Sequence, residues 1–162
     1  MKTLRTLFSG GELFGIGAQQ AGWRHVDGIE NDPVIAAIAQ QNGFRVRVAD
    51  VRSVDYTTLP AVDHLHASPP CTTASMANPN AGETILDQKL AQAVCRAIAA
   101  HQGTTFSLEN VWGYRHFASF ALILSALHAY GFASDVRHVN AADFGVPQTR
   151  KRLIVRAVRH GR

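Results

Sequence analysis

The sequence is poor in cysteine and contains no long apolar run. Its 162 residues include two cysteines, Cys71 and Cys95, which are too few for a disulfide framework and favour a reducing compartment with two free thiols. The longest apolar stretches are too short to cross a bilayer, and the amino terminus lacks a convincing secretory signal. We therefore expect a cytoplasmic protein without a membrane partner.

Basic charge is scarce outside the carboxyl-terminal end. The net charge is +4, but the last thirteen residues hold six of the sixteen lysines and arginines and none of the twelve acids. The rest of the chain is therefore slightly acidic. A basic charge confined to one short segment is by itself weak evidence for a nucleic-acid surface.

Strand-like and helix-like segments alternate along the chain, which is typical of a mostly parallel sheet with helices on both faces. The last two predicted strands follow each other without a long helix, which predicts a final antiparallel hairpin. With 46% hydrophobic residues, the sequence predicts one doubly wound α/β domain over 1–162. The predicted strands are 3–9, 25–30, 45–50, 62–68, 104–111, 133–141 and 152–158, and the predicted helices are 13–22, 32–43, 83–103 and 117–131.

Residues suited to an adenosine-containing cofactor end the first three predicted strands, at the edge where such sheets bind ligands. Phe8 precedes a glycine-rich turn, which lets backbone N–H groups approach a ligand, and its ring can lie against adenine. Glu30 follows that turn by the interval typical of a ribose-binding acid. Asp50 ends the third strand and can accept a hydrogen bond from an adenine amino group. Helix capping or a solvated loop position is the alternative for each acid.

Cys71 follows two prolines at the end of the fourth predicted strand, in the segment SPPC. The prolines fix the backbone, so the loop starts from a rigid base and the cysteine stands at the edge of the sheet. Its thiolate can act as a nucleophile if a helix end or a cation lowers its pKa. The alternative is a small buried hydrophobic residue, and we interpret Cys95 in that way.

An acid and two arginines complete the candidate site. Glu109 lies at the tip of the fifth predicted strand, where a half-buried carboxyl group can donate or share a proton, or else order a loop. Arg150 and Arg152 share one strand parity and are expected to project to the same side, which suits a phosphate or a carbonyl oxygen. A solvated basic run is the alternative interpretation.

Taken in order, the segments LFSGG, GIEND, SPPCTTAS, LENV and FGVPQTRKR resemble those of the DNA cytosine-5 methyltransferases. The resemblance extends over 4–158, which is nearly the whole chain. Each segment is a weak signal alone, but the three blocks Pro-Cys, Glu-Asn-Val and Gln-x-Arg-x-Arg in this order are highly specific.

The resemblance implies a covalent reaction on double-stranded DNA. S-adenosyl-L-methionine would be the cofactor, no metal site is implied, and the target cytosine would be flipped out of the duplex. Cys71 would attack carbon 6, Glu109 would hold the ring nitrogen and amino group, Arg152 would hold the carbonyl oxygen, and Arg150 a phosphate or a structural carboxylate. The implied cofactor-binding residues are Phe8, Ser9, Gly10, Gly11, Glu30, Asn31, Asp50, Val51 and Pro70.

Two substitutions depart from the family pattern. Glu12 stands where the family's turn has its last glycine, so we expect its side chain to crowd the methionine end of the cofactor or its charge to meet the cofactor's ammonium group. Thr72 replaces the glutamine that follows the cysteine, a change that we expect to be tolerated.

The family's target-recognition domain and the helix that returns after it have no counterpart in these 162 residues. We therefore expect an apolar patch beside the first strand and a second subunit that carries target recognition. Two alternatives remain open. One is a non-catalytic or degenerate module that binds S-adenosylmethionine or DNA, and the other is methylation of cytosine in RNA.

Overall fold

A seven-stranded mixed sheet organises the chain, which the computed structural model describes over residues 1–70 and 82–159. The strands are β1 (Thr3–Leu7), β2 (Arg24–Glu30), β3 (Val46–Val48), β4 (His64–Ala67), β5 (Thr105–Asn110), β6 (Phe132–Asn140) and β7 (Lys151–Arg159). Their spatial order is β3-β2-β1-β4-β5-β7-β6. The first five strands pair in parallel, and β7 pairs antiparallel with both β5 and β6. The predicted doubly wound sheet with a final antiparallel hairpin is confirmed.

Four α-helices link the strands in the part of the chain that the structure describes, and their ends follow local sequence signals. They are α1 (Leu13–Gln20), α2 (Pro33–Gln41), α3 (Ile85–Ala100) and α4 (Ala118–Ala129). The Asp32 carboxylate accepts hydrogen bonds from the first backbone amides of α2, and Pro33 occupies the first helical position, as predicted. Thr84 and Asp87 form a capping box at the start of α3. Such caps satisfy amides that the helix itself leaves unpaired.

The main apolar core lies between the sheet and the helices α3 and α4. Strand parity sends alternate residues of β4, β5 and β7 to this side, including the fully buried Leu108 and Val155. Ile98 of α3 and Ile123 of α4 are buried against them. Each such side chain contributes about 1.5–3 kcal/mol by leaving water. Packing in this core holds the strands in position, and the candidate site lies at their carboxyl ends.

The opposite face, which carries α1 and α2, is polar where it lies beside β1. The Ser107 hydroxyl lies 2.8 Å from His64 Nε2 and 2.7 Å from His66 Nδ1. The Phe14 ring of α1 stacks on His66 with 3.5 Å between ring centroids. Exposed apolar side chains occur on the helices, where 82% of Leu13 is accessible, and on strands, where 51% of Val48 and 52% of Val158 are accessible. The apolar patch expected beside the first strand stays a prediction.

No helix in the two described ranges is both long and apolar enough to span a membrane. This agrees with the short apolar runs of the sequence. The cytoplasmic location and the assignment of 1–162 to one domain stay predictions.

The buried histidines predict that the protein loses stability in mild acid. Burial lowers the pKa of His66 to about 3 and that of His64 to about 4, whereas unfolded histidine titrates near about 6.5. Between these values the unfolded chain binds more protons than the folded one, so the free energy of unfolding falls as the pH drops. Each ring contributes at most about 1.4 kcal/mol per pH unit.

Urea titrations of wild type and His66→Gln between about pH 6 and about pH 4.5 test this expectation. The variant should show a shallower dependence of unfolding free energy on pH. His128→Gln is the control, because that ring is exposed on α4. If the unfolding free energies of wild type and His66→Gln change equally with pH, the pKa of His66 is not lowered by burial.

Candidate cofactor and catalytic site

A cavity of about 140 Å³ lies at the carboxyl ends of the central parallel strands. Five residues predicted from the sequence line it, contributed by four different strand ends: Phe8, Asn31, Asp50, Val51 and Pro70. Ile29 of β2 and the α3 residues Leu86 and Leu90 supply apolar wall. An apolar cleft with a few polar groups at its rim is the usual form of a small-molecule site.

The turn after β1 borders this cavity with an unusual backbone. Phe8, Gly10 and Glu12 all have left-handed φ values, of 56°, 53° and 61°. Glycine adopts this conformation freely, whereas it costs other residues about 1–2 kcal/mol each. The predicted turn residues Ser9, Gly10 and Gly11 therefore lie between two strained positions.

Glu30 fixes the turn from the end of β2. Its Oε2 accepts a hydrogen bond from the Gly10 amide at 2.9 Å, and its Oε1 accepts one from the Asp32 amide at 2.9 Å. The side chain is only 8% exposed. Each carboxylate oxygen can accept a further hydrogen bond, so both remain able to receive a ribose hydroxyl group.

Asp50 has a partner that the sequence analysis missed. Arg52 Nη2 lies 2.5 Å from Asp50 Oδ2, and the Arg52 backbone amide donates to Oδ1 at 2.8 Å. These hydrogen bonds lower the pKa of Asp50 below its usual value. Arg52 also lines the cavity, so a cation and an anion face the cavity together at this rim. The sequence signal for this ion pair was the presence of an arginine two residues after Asp50. Hydrogen bonding of Asp50 to adenine stays a prediction.

Glu12 does not face the cofactor cavity, and both expectations for it are wrong. Its side chain is fully buried beneath the turn, where Oε1 lies 2.6 Å from Thr6 Oγ1 and 2.9 Å from His25 Nε2. The left-handed backbone at Glu12 accompanies this inward position. The carboxylate therefore neither crowds the methionine end nor meets an ammonium group.

The predicted acid and one predicted arginine form an ion pair at the end of β5. Arg152 Nε lies 2.8 Å from Glu109 Oε1, and both side chains are partly exposed. Arg150 is exposed and lies one residue before β7 begins, and its projection to the same side as Arg152 stays a prediction. Its backbone amide donates to Asn140 Oδ1, which ties the hairpin loop together.

Asn110 connects the end of β5 to the prolines that precede the candidate nucleophile. Its Nδ2 donates to the Pro69 carbonyl oxygen at 3.1 Å, and its Oδ1 accepts from the Val111 amide at 2.8 Å. The side chain is 2% exposed, and the sequence analysis gave it no role. Cys71 itself lies outside the described residues, as does Thr72.

Cys95 lies within α3, as the sequence analysis interpreted it. Its Sγ approaches the Leu122 carbonyl oxygen of α4 at 3.8 Å. Burial raises the pKa of the thiol to about 11, so the unreactive thiol form predominates at neutral pH. This cysteine is a packing residue between two helices.

Comparisons with known proteins agree on one family. The family model described as C-5 cytosine-specific DNA methylase matches residues 3–162. The type II methyltransferase M.Bsp6I of Bacillus sp. (strain RFL6) is 29% identical over 96% of this chain and 51% of its own length. The type II methyltransferase M.PspPI of Psychrobacter sp. (strain TA137) is 32% identical over 97% of this chain and 39% of its own length.

A solved structure supports the fold. The Dnmt2 methyltransferase of S. pombe superposes with a TM-score of 0.80 and 16% identity, covering all of this chain and 50% of that one. At such low identity the likeness concerns the fold. The chain spans about half the length, or less, of each of these three proteins.

Loss of the Asn110 side chain is expected to destabilise the contact between the end of β5 and Pro69. Asn110→Ala removes a buried hydrogen bond and leaves the Pro69 carbonyl without that donor, which should lower the free energy of unfolding by about 1–3 kcal/mol. Urea titration measures the change. Asn42→Ala is the control, because its amide donates to Ile38 on an exposed helix end. If Asn110→Ala lowers the free energy of unfolding no more than Asn42→Ala does, the hydrogen bond to Pro69 does not stabilise the fold.

Proposed function

Because the chain belongs to the C-5 cytosine-specific DNA methylase family, we propose that it transfers a methyl group from S-adenosylmethionine to carbon 5 of cytosine in DNA. The convergence of groups at one sheet edge carries this proposal. Pro70 lines the cavity, Asn110 holds the adjacent Pro69, and the neighbouring Glu109 pairs with Arg152. The cavity and the end of β5 are thus connected through Pro69 and Pro70, which directly precede Cys71.

The residues in and beside the cavity suit the adenosine part of the proposed cofactor. Phe8 and Ile29 provide an apolar wall for an adenine ring, and the Glu30 oxygens are acceptors suited to two ribose hydroxyl groups. Asp50 is a further acceptor at the rim. When bound, S-adenosylmethionine supplies a methyl group on a positively charged sulfur.

Cys71 is the proposed nucleophile, and the cytosine must leave the base stack to reach it. Its thiolate forms a bond to carbon 6, which makes carbon 5 electron-rich enough to take the methyl group. Loss of the carbon 5 proton then breaks the sulfur–carbon bond and releases the thiolate. Without the covalent step, carbon 5 of cytosine is too poor a nucleophile.

Glu109 and Arg152 are proposed to hold the flipped base. The carboxyl group would bind the ring nitrogen and amino group and supply a proton as charge builds, while the guanidinium would bind the carbonyl oxygen. Their 2.8 Å contact supports this assignment, because it brings a donor and an acceptor to one spot. Arg150 would bind a phosphate from its exposed position before β7.

We also propose that a second polypeptide carries target recognition. The chain spans about half the length, or less, of the curated relatives that it matches. A candidate partner is therefore included in the experiments below. A cytoplasmic location is part of the same proposal.

A covalent trap tests the reaction. The protein is incubated with S-adenosylmethionine and DNA that contains 5-fluorocytosine, with and without a candidate partner. We expect a denaturation-resistant adduct, because fluorine at carbon 5 blocks the final elimination. Cys71→Ser should abolish the adduct, and Cys95→Ser should retain it, because Cys95 packs between α3 and α4.

The outcomes of the trap separate the alternatives. An adduct formed only with 5-fluorocytosine RNA would favour RNA as the substrate. A wild-type protein that binds S-adenosylmethionine but forms no adduct under any condition would favour the non-catalytic module. An adduct that survives Cys71→Ser would overturn the assignment of the nucleophile.

Glu30→Ala is expected to weaken S-adenosylmethionine binding by about 1–3 kcal/mol, the cost of losing hydrogen bonds to a charged group. Titration calorimetry measures the dissociation constant. Asp63→Ala is the matched control, since this carboxylate hydrogen-bonds Thr3 at the far end of the sheet. Unchanged affinity in Glu30→Ala would remove Glu30 from the site.

A further inference from the structure

A buried carboxylate lies beneath the cofactor turn, at a position with no access to the cavity rim. Glu12 is 0% exposed, and its Oε1 contacts Thr6 Oγ1 of β1 at 2.6 Å and His25 Nε2 of β2 at 2.9 Å. Buried carboxylates persist only when hydrogen bonds or opposite charge compensate the loss of water. The side chain therefore joins the turn to two parallel strands at once.

Two glycines make the space that this carboxylate fills. A Cβ atom at Gly28 would lie 2.0 Å from Glu12 Oε1, and one at Gly15 would lie 2.6 Å from Glu12 Oε2. Any other residue at Gly28 would collide with the carboxylate or with Ser9. The chamber is thus shaped to the glutamate by β2 on one side and α1 on the other.

Backbone stability alone does not explain a glutamate here. Its φ of 61° is one that glycine adopts without strain, and its Oε2 has no hydrogen-bond partner among the described residues. Both features are unfavourable for folding. Glu12 destabilises the fold in two ways, yet Gly15 and Gly28 leave room for its side chain. We therefore expect it to have a role in the neighbouring cofactor site.

The turn is held at two points by two acids. The Glu12 amide closes the turn by donating to the Ser9 carbonyl at 2.9 Å, and the Glu12 carbonyl accepts the Ile16 amide at 2.9 Å in the first turn of α1. Two residues earlier, the Gly10 amide donates to Glu30. A shift of Glu12 would therefore move Gly10 relative to the ribose-binding acid.

We propose that Glu12 is a positioning residue for the cofactor. Its carboxylate, anchored to Thr6 and His25, sets the height and tilt of the turn so that the Gly10 amide and Glu30 meet the ligand together. The inference rests on the proposed function, since it concerns the same cofactor site. It predicts an effect on cofactor affinity and little effect on the chemical step.

Glu12→Gly and Glu12→Gln separate positioning from stability. Glycine relieves the backbone strain but removes the anchor, so we expect S-adenosylmethionine to bind about tenfold more weakly or worse. Glutamine keeps the acceptor for Thr6 and should recover most of the affinity. With DNA and the partner present, KM for the cofactor should rise in Glu12→Gly, and kcat should stay within about twofold.

Thr6→Val and Asp27→Asn complete the design. Thr6→Val removes one anchor and should weaken cofactor binding, but it should add little in the Glu12→Gly background, because the two residues act as one unit. Asp27 also lies on β2 and pairs with the buried Arg5, away from the turn. Asp27→Asn should lower the melting temperature and leave cofactor affinity unchanged.

The failures of the two proposals are distinguishable. Wild-type protein that does not bind S-adenosylmethionine in calorimetry would refute the proposed function at its cofactor step. Wild-type binding with equal affinity in Glu12→Gly would refute the positioning role alone. If Glu12→Gly does not fold, Thr6→Val decides the question. Unchanged cofactor affinity in Thr6→Val refutes the positioning role. Weaker cofactor affinity in Thr6→Val, together with unchanged affinity in Asp27→Asn, supports it.

Discussion

Two buried carboxylates hold the backbone turn that follows β1, and the cofactor side of the molecule depends on them. Glu30 accepts a hydrogen bond from the Gly10 amide of the turn. Glu12 lies beneath the turn and hydrogen-bonds Thr6 of β1 and His25 of β2. Between them the chain passes through three left-handed residues in five positions. A backbone of this kind does not persist on its own preferences, because two of the three residues carry a Cβ atom. The surrounding hydrogen bonds must over-determine it.

Side-chain alternation along the strands separates the polar residues on one face of the sheet from the apolar core on the other. In β5, even-numbered Phe106 and Leu108 enter the apolar core with α3 and α4, while odd-numbered Ser107 and Glu109 face the other side. The same alternation puts Leu65 in the core and His66 against Phe14. The core can therefore be dense and apolar while the opposite face carries histidines and hydroxyl groups.

Signals that act within a few residues made most of the fold predictable. The Asp32 cap, the strand and helix alternation and the final hairpin all follow from local patterns, and all are confirmed. The β3 strand is shorter than its predicted span of 45–50, although Arg45 and Ala49 still form backbone hydrogen bonds with β2. Glu12 was misjudged because a side chain's direction depends on the sign of φ, which the sequence does not state. Asn110 was missed because its partner, Pro69, lies 41 residues away along the chain.

The antiparallel strand explains how residues from distant segments reach one edge. Because β7 runs against β5, its beginning lies beside the end of β5, and Arg152 comes within 2.8 Å of Glu109. A parallel β7 would have sent that arginine to the opposite end of the sheet, the length of the strand away. On its other side β5 pairs with β4, whose end leads to Pro69 and Pro70. A single strand thus joins the proline loop to the arginine hairpin. Asn110 holds the first with a buried side chain, and Glu109, one residue earlier and on the opposite face, holds the second.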